Sequence, residues 1–199
     1  MIEYLYLVLN SDAPKAPLSE RVIKRDFEGQ FHQHYDPLDS LKYKLEILNR
    51  LNVKWWKLRD QNSTKKVHYP YTNSKDEWAE EILNLNQLVI EGFEEKWLRA
   101  KVKSLGRIPK DNLRALKLIE ECLVGIDFEE DHARQIMNPF HDIYNLRCKV
   151  KGHSSGQEAD ILKKKALVRF GSFRNHFEYL CKECDTSLDI LIEAFKDSD

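Results

Sequence analysis

Apolar residues recur at steps of three and four along most of this chain, the spacing that places them on one side of an α-helix. Residues 2–9 differ, because aromatic and aliphatic side chains alternate there and favour a short strand. We therefore predict an all-α protein, an antiparallel helical bundle with a minor β or irregular N-terminal arm. The predicted helices run from Asp36 to near Asp60, Ser74 to Gly106, Pro109 to Gly125, Asp127 to Met137, Pro139 to Gly152 and Leu162 to Phe195.

Local signals set the predicted helix ends. Asp36-Pro37 is an N-cap followed by a proline in the first turn, and Ser74 with Glu77 has the spacing of a capping box. Asn138-Pro139 repeats the cap-and-proline signal and predicts a new helix or a sharp kink. The last pattern is unbroken, so we expect one helix longer than about 50 Å as the spine of the bundle.

The chain divides on this pattern into an N-terminal arm with the first helix, residues 1–74, and a helical bundle domain, residues 75–199. The arm carries two prolines and no sustained period between residues 11 and 35. We interpret its aromatic and histidine residues as a packing cluster, since no cysteine is nearby to complete a metal site. These are Phe27, Phe31, His32 and His34.

Composition narrows the class of protein. The chain has 199 residues, 42% hydrophobic and 33% charged, with 7 Gly and 6 Pro, which is typical of a helix-rich globular protein. Its net charge of -1 argues against a chain-wide nucleic-acid coat but allows a local basic site. No apolar run approaches the roughly 20 residues that span a membrane, and the first residues lack the basic start of a signal peptide. Its 4 cysteines are too few for a disulfide framework, so we expect a reducing cytoplasm.

The stretch from Asn138 to His153 holds the candidate chemistry. Arg147 falls four residues after Ile143, in the apolar row of its predicted helix, where a buried guanidinium needs a partner. His153 follows the terminating Gly152 and lies near the negative end of the helix dipole, which favours the imidazolium. A fixed cation and a titratable acid/base are what metal-free RNA cleavage requires.

These residues, Arg147-CysLysValLysGly-His153, resemble the motif of the HEPN superfamily, whose ribonucleases carry an arginine, four to six residues and a histidine. The resemblance extends from Ile119 to Phe195 and implies a metal-independent endoribonuclease of toxin or phage-defence type, without a cofactor. It also implies a homodimer in which two Arg…His turns meet. Arg147 would then stabilise phosphate charge, and His153 would act as acid/base while the RNA 2'-hydroxyl attacks.

Two alternatives stay open at this point. The family often has Asn or Asp after the arginine, and Cys148 stands there instead. This departure favours a non-catalytic HEPN-like dimerisation or interaction module, part of a larger defence protein, to which the abruptly apolar start of the chain is also suited. A helical regulator that binds RNA without cutting it is the other alternative.

Spacing alone does not single out this motif. Four arginine–histidine pairs have it, and only the third combines an inward arginine, a terminating glycine and a following loop. The four are Arg25/His32, Arg134/His141, Arg147/His153 and Arg169/His176.

Charge is concentrated around the same stretch. Residues 141–176 hold eight Lys or Arg against three Asp or Glu, whereas residues 177–199 hold two against seven. A basic segment can hold phosphates, although a long helix with solvated, oppositely charged ends would have the same composition. The candidate RNA-binding residues are Lys149, Lys151, Lys163, Lys164, Lys165, Arg169, Arg174 and His176.

Other chemistry finds little support in the sequence. Cys181 and Cys184 form a CxxC within a continuous helical pattern, which indicates core positions and not a zinc site. His176 also suits a surface or interface histidine whose hydrogen bonds are satisfied. No Gly-rich phosphate loop, GxSxG or HExxH motif occurs, so we predict no metal and no cofactor.

Overall fold

Helices account for nearly all regular structure in the computed structural model of this chain. It describes residues 35–152 and 157–196, with backbone alone for 151, 152 and 157. The predicted all-α class is confirmed, whereas the strand at residues 2–9 and the cluster of Phe27, Phe31, His32 and His34 lie outside the described residues. The elements are α1 (Pro37–Leu51), α2 (Ser63–Lys66), α3 (Lys75–Val89), α4 (Glu95–Ser104), α5 (Ala115–Gly125), α6 (Glu130–Arg147), a π-helical turn (Cys148–Gly152), α7 (Gln157–Phe170) and α8 (Phe173–Phe195).

Helix α6 occupies the centre of the packing, in contact with α3, α5 and α8. Phe140 and Ile143 on its apolar side are fully buried, and the Phe140 ring meets Phe93 edge-on at 5.8 Å between centroids. Helix α1 packs along α8 and shares this core. The predicted division at residue 74 stays a prediction. None of the described helices is long and apolar enough to cross a bilayer.

The caps predicted at two helix starts are confirmed. Asp36 accepts a hydrogen bond from the Asp39 N–H at 2.9 Å and another from the Tyr69 hydroxyl at 2.8 Å. Ser74 accepts from the Glu77 N–H at 3.4 Å, as in a capping box. The Glu77 carboxylate does not complete the box, because it accepts from backbone N–H groups of the preceding loop.

The first helix was predicted too long. It ends at Leu51 because Asn52 adopts a left-handed conformation, φ 55°, which a regular helix cannot continue. Trp55 and Trp56 are buried, but they reach the core from a non-helical segment.

The single helix predicted from Ser74 to Gly106 is also wrong, since it is divided into α3 and α4. The Trp56 indole donates to the Val89 carbonyl oxygen at 3.1 Å, at the end of α3. Its ring fills the space beside Gly92, where a Cβ would stand 2.3 Å from the indole nitrogen. Backbone hydrogen bonds of the Trp56–Phe93 bridge then hold this interruption open.

Helix α5 begins at Ala115, six residues later than the predicted start at Pro109. The Arg99 guanidinium donates to the carbonyl oxygens of Lys110 at 3.2 Å and Asp111 at 2.9 Å, and also to that of Leu113. These bonds hold the segment as a turn. The predicted end at Gly125 is confirmed.

Of the two outcomes predicted at Asn138-Pro139, the new helix is wrong, because α6 runs through Pro139 from Glu130 to Arg147. The kink stays a prediction. Burial on both sides of the proline, at Met137 and Phe140, compensates for the backbone hydrogen bond that proline cannot make. Asp127 is not the cap of this helix, since it lies in a left-handed turn with φ 74° before the N-cap Glu129.

The long final helix is interrupted as well. Gly171 has φ 77°, and Ser172 caps a new helix by accepting from the Asn175 N–H at 3.1 Å. The remaining helix, α8, has 23 residues and is about 34 Å long at 1.5 Å per residue, short of the predicted 50 Å. The break turns α7 away from the line of α8.

Replacement of Gly92 by alanine should destabilise the fold, because the added Cβ overlaps the Trp56 indole. We expect Gly92→Ala to lower the free energy of unfolding by about 1–3 kcal/mol, measured by urea denaturation. Gly106→Asn is the control, since φ is 76° there, no atom lies within 4 Å of a Cβ, and asparagine tolerates this conformation. Equal stability of Gly92→Ala and the native chain would contradict the close Trp56 contact.

Candidate functional site

Arg147 is the last residue of α6, directly before the π-helical turn. Ile143 and Val150 in its row are buried, and Arg147 itself is half-buried, as its place in the apolar pattern predicted. Within residues 35–152 and 157–196, its guanidinium has neither a hydrogen-bond partner nor a carboxylate at salt-bridge distance. A half-buried guanidinium without an anion is suited to receive one.

The second residue of the predicted motif, His153, lies outside the described residues, as does the Lys151 side chain. The π-helical turn before His153 contacts α3 and α7, so the backbone leading to the histidine is packed on the bundle. Such turns occur frequently at functional sites. Cys148, the departure from the HEPN pattern, is half-buried at the start of this turn.

The predicted RNA-binding side chains do not all face the same region. Lys164 and Lys165 are exposed on α7, and Lys163 is half-buried there. Arg174, near the start of α8, lies over the Tyr69 ring, with its Cζ 4.7 Å from the centroid. The role of these four residues as phosphate contacts stays a prediction.

Three of the predicted residues meet in one cavity between α6, α7 and α8. This cavity, called here the Arg169 pocket, has a volume of about 220 Å³. The sequence did not single out the other polar residues that line it. Its polar and aromatic walls are formed by Asp142, Asn145, Lys149, Arg169, His176 and Tyr179.

The Arg169 guanidinium lies over two aromatic rings of this pocket. Its Cζ is 5.1 Å from the Phe170 centroid and 5.6 Å from the Tyr179 centroid, and the two rings are 5.0 Å apart. Stacking of this kind fixes the guanidinium plane while leaving its N–H groups free to donate. Among the described residues, no acceptor takes those donors.

His176 is buried between Phe170 and Trp78, with ring centroids 4.8 Å and 5.5 Å away. It is 8% exposed, and its Nδ1 has no hydrogen-bond partner among the described residues. Burial, and secondarily the Arg169 charge, lowers the pKa of His176 to about 4. The ring is therefore neutral at pH 7, which excludes it as a phosphate-binding cation.

Asp142 is the acidic member of the Arg169 pocket. Partial burial raises its pKa above the ordinary value, and the charges of His141 and Arg169 oppose this shift without cancelling it. Its carboxylate makes no hydrogen bond and no salt bridge with a described residue. The pocket thus combines cations, a carboxylate and an aromatic wall.

A second concavity, called here the His141 groove, lies on the other flank of α6. Its volume is about 720 Å³, and its charged residues include Arg59, Glu94, Arg114, Lys117 and His141. Most of these charges are already paired: Arg59 with Glu94 at 2.8 Å, Arg114 with Glu95 at 3.6 Å and Lys117 with Glu120 at 2.7 Å.

Glu120, beside this groove, is buried between two donors. His141 Nε2 lies 2.6 Å from one carboxylate oxygen and Lys117 Nζ lies 2.7 Å from the other. Burial alone would raise the pKa of Glu120, but these hydrogen bonds and charges together outweigh it and lower that pKa. The carboxylate is ionised at neutral pH, so the His141 Nε2–H donates to it.

Sequence reasoning missed Asp142, Asn145, Tyr179 and the Glu120–His141 pair. Asp142 and Asn145 are three residues apart on α6, a spacing that places both on one side of a helix, so that signal was present. Tyr179 and Glu120 come from other helices, and only the packing brings them to α6. Cys181 and Cys184 are buried in the core as predicted, and burial raises the pKa of both thiols.

The fold and pocket define an all-α protein with a polar cavity beside its central helix. Comparison with protein-family models, with curated proteins and with solved structures found no match for this chain. Within the described residues, no group of three or more His, Cys, Asp or Glu is placed to hold a metal ion.

Removal of the Glu120 charge should destabilise the protein at neutral pH. We expect Glu120→Gln to lower the free energy of unfolding by about 1–2 kcal/mol at pH 7, because Lys117 and His141 lose an anionic partner. Folding lowers this pKa, so the contribution is complete above 4.5 and is lost as pH falls through the folded-state pKa. Denaturant midpoints should therefore converge in acid. Glu130→Gln, in an exposed pair with Arg134, is the control and should change little. A gap that persists unchanged in acid would contradict this account.

Replacement of His176 should weaken the dependence of stability on acid. In the unfolded chain His176 takes up a proton near pH 6.5, whereas in the folded protein it does so only near pH 4. Its contribution therefore lowers the free energy of unfolding as pH falls from about 6.5 to about 4. The slope is at most about 1.4 kcal/mol per pH unit. We expect His176→Phe to remove this part of the pH dependence, measured as the melting temperature at pH values from 7 to 4. His132→Phe, which replaces an exposed histidine, should leave the pH dependence unchanged. An identical slope in the native chain and His176→Phe would show that His176 titrates normally.

Proposed function

We propose that this chain is an HEPN-like, metal-independent endoribonuclease of the toxin or phage-defence type that acts in the cytoplasm as a homodimer. The observation that carries the proposal is Arg147, a half-buried guanidinium that has no anionic partner among the described residues, at the junction of α6 and the π-helical turn. An RNA phosphate supplies the missing anion. His153 follows six residues later in the sequence, directly after the π-helical turn ends at Gly152.

Arg147 and His153 have separate roles in the proposed reaction. The 2'-hydroxyl of RNA attacks its own 3'-phosphate, and the bond from phosphorus to the 5'-oxygen of the next nucleotide breaks. His153 moves the proton from the attacking hydroxyl to the leaving oxygen, within one turn or between the two turns of the dimer. Arg147 donates to the phosphate oxygens as negative charge builds on them. The products are a 2',3'-cyclic phosphate and a free 5'-hydroxyl.

Basic residues around the turn support RNA binding. Lys149 lies in the π-helical turn, 3.6 Å from Glu158 in an exposed pair that an RNA phosphate can displace. Lys163, Lys164 and Lys165 follow on α7. Contacts of this type bind without sequence preference and weaken as salt rises.

A second candidate function is a non-catalytic HEPN-like dimerisation or interaction module of a larger defence protein. Cys148 supports it, because the family often has a polar residue at that position. The outer side of α7 supports it too, where Ile161 is 51% and Val168 is 79% exposed. These residues are seven apart, on one side of the helix two turns apart, and offer apolar surface to a partner.

Cleavage of RNA in the presence of EDTA is the decisive measurement. We expect the native chain to cut single-stranded RNA and leave cyclic phosphate ends, and His153→Ala to reduce the rate by at least about 100-fold, as for loss of an acid/base group. Arg147→Ala should reduce the cleavage rate comparably. Arg147→Lys should keep only part of the native rate, since lysine cannot form the bidentate pair with a phosphate that arginine forms.

Two matched controls lie at the start of α6. His132→Ala and Arg134→Ala remove an exposed histidine and an arginine already paired with Glu130, so both should cut like the native chain. Equal rates for the native chain and His153→Ala would refute the proposed mechanism. No cleavage, together with a stable dimer in light scattering, would instead favour the interaction module.

A further inference from the structure

The Arg169 pocket holds more unpaired polar chemistry than phosphate binding requires. Asp142, Asn145 and Arg169 all line it, and none of their side chains makes a hydrogen bond or salt bridge with another described residue. Polar side chains that converge on a cavity without partners are characteristic of a ligand site. The Asp142 carboxylate narrows the class of ligand, because it repels a phosphate and can accept hydrogen bonds only from a donor group.

The aromatic wall of the pocket indicates a flat ligand. Phe170, Tyr179 and His176 form this wall, with the Phe170 ring 5.0 Å from Tyr179 and 4.8 Å from His176. His176 backs this wall as a neutral ring buried between Phe170 and Trp78, so Phe170 and Tyr179 are the rings that offer surface for stacking. Proteins that bind unpaired bases use such rings, together with arginine planes, as stacking platforms.

Size and position fit one nucleotide. A volume of about 220 Å³ is enough for a single base. Lys149 belongs to the π-helical turn that follows Arg147 and also lines the pocket, so the pocket borders that turn.

We propose that the Arg169 pocket takes one unpaired nucleobase of the RNA substrate and prefers bases with an exocyclic amine, adenine, cytosine or guanine, over uracil. This inference rests on the proposed ribonuclease function and states which bases of the RNA the protein prefers. The amine donates to the Asp142 carboxylate, and the Asn145 amide pairs with the neighbouring ring nitrogen or carbonyl. Uracil has no exocyclic amine, and its N3–H donor lies between two carbonyl oxygens that the carboxylate repels.

Oligonucleotide binding tests this preference without cleavage. Labelled 10-nucleotide oligomers of A, C or U are titrated into the full chain carrying His153→Ala, at fixed salt, and followed by fluorescence anisotropy. We expect oligo-A and oligo-C to bind about tenfold more tightly than oligo-U. Asp142→Asn should bring the ratio close to one, because an amide offers a donor as well as an acceptor.

Matched variants separate base reading from charge. Asp160→Asn removes the same charge from an exposed position on α7, so it should leave the ratio at about tenfold. Arg169→Ala should weaken binding of all three oligomers. Asp142 and Arg169 are both exposed, and melting temperatures near that of the parent chain establish that their variants fold.

The outcomes distinguish this inference from the proposed function. If the native chain cuts RNA with dependence on His153, but A, C and U bind equally or Asp142→Asn keeps the ratio, the base pocket is refuted and the ribonuclease stands. Absence of both cleavage and oligomer binding refutes both. Cleavage mapping gives a second readout, since the native chain should cut beside A, C or G and Asp142→Asn should lose that bias.

Discussion

Burial of the apolar side of α6 is the constraint on which the rest of the structure depends. Phe140 and Ile143 are fully covered by neighbouring helices, and this packing carries the helix through Pro139 without a break. If α6 had ended at the proline, Arg147 would belong to a separate element. Because α6 continues, the register of the core sets where the arginine lies and which side chains fall on its two flanks.

The parts of the fold that depend on neighbours in sequence could be predicted. Asp36 and Ser74 cap helices through a hydrogen bond three residues away, so their sequence is enough to place them. The interruption at Gly92 differs in kind, because it requires the Trp56 indole from 36 residues earlier in the chain. Arg99 likewise delays α5 by bonds to carbonyl groups more than ten residues away. Helical periodicity cannot detect either interaction.

The candidate site, too, has a part that the sequence predicts and a part that depends on packing between distant residues. Arg147 could be placed from its spacing to Ile143, and its half-burial agrees with that spacing. Convergence of Lys149, Arg169 and His176 depends on the left-handed Gly171, which breaks the predicted spine and folds α7 against α8. The list of candidate RNA-binding residues also needs correction, because His176 is buried and neutral and Asp142 lies among the cations of the pocket. A count of basic residues finds a positively charged segment but does not show that a carboxylate lines the same pocket.

The two flanks of α6 show how partners decide which polar groups are left for a ligand. His141 and Asp142 are adjacent, yet they line different cavities. On the His141 side, Glu120 has two donors, its pKa is lowered, and an incoming ligand would have to break existing pairs. On the other side, Asp142 has no hydrogen bond or salt bridge with a described residue and its pKa is raised, so a donor from a ligand would meet a carboxylate that has no partner. The smaller cavity is therefore the one whose polar groups are left unpaired for a ligand, although the groove is about three times as large.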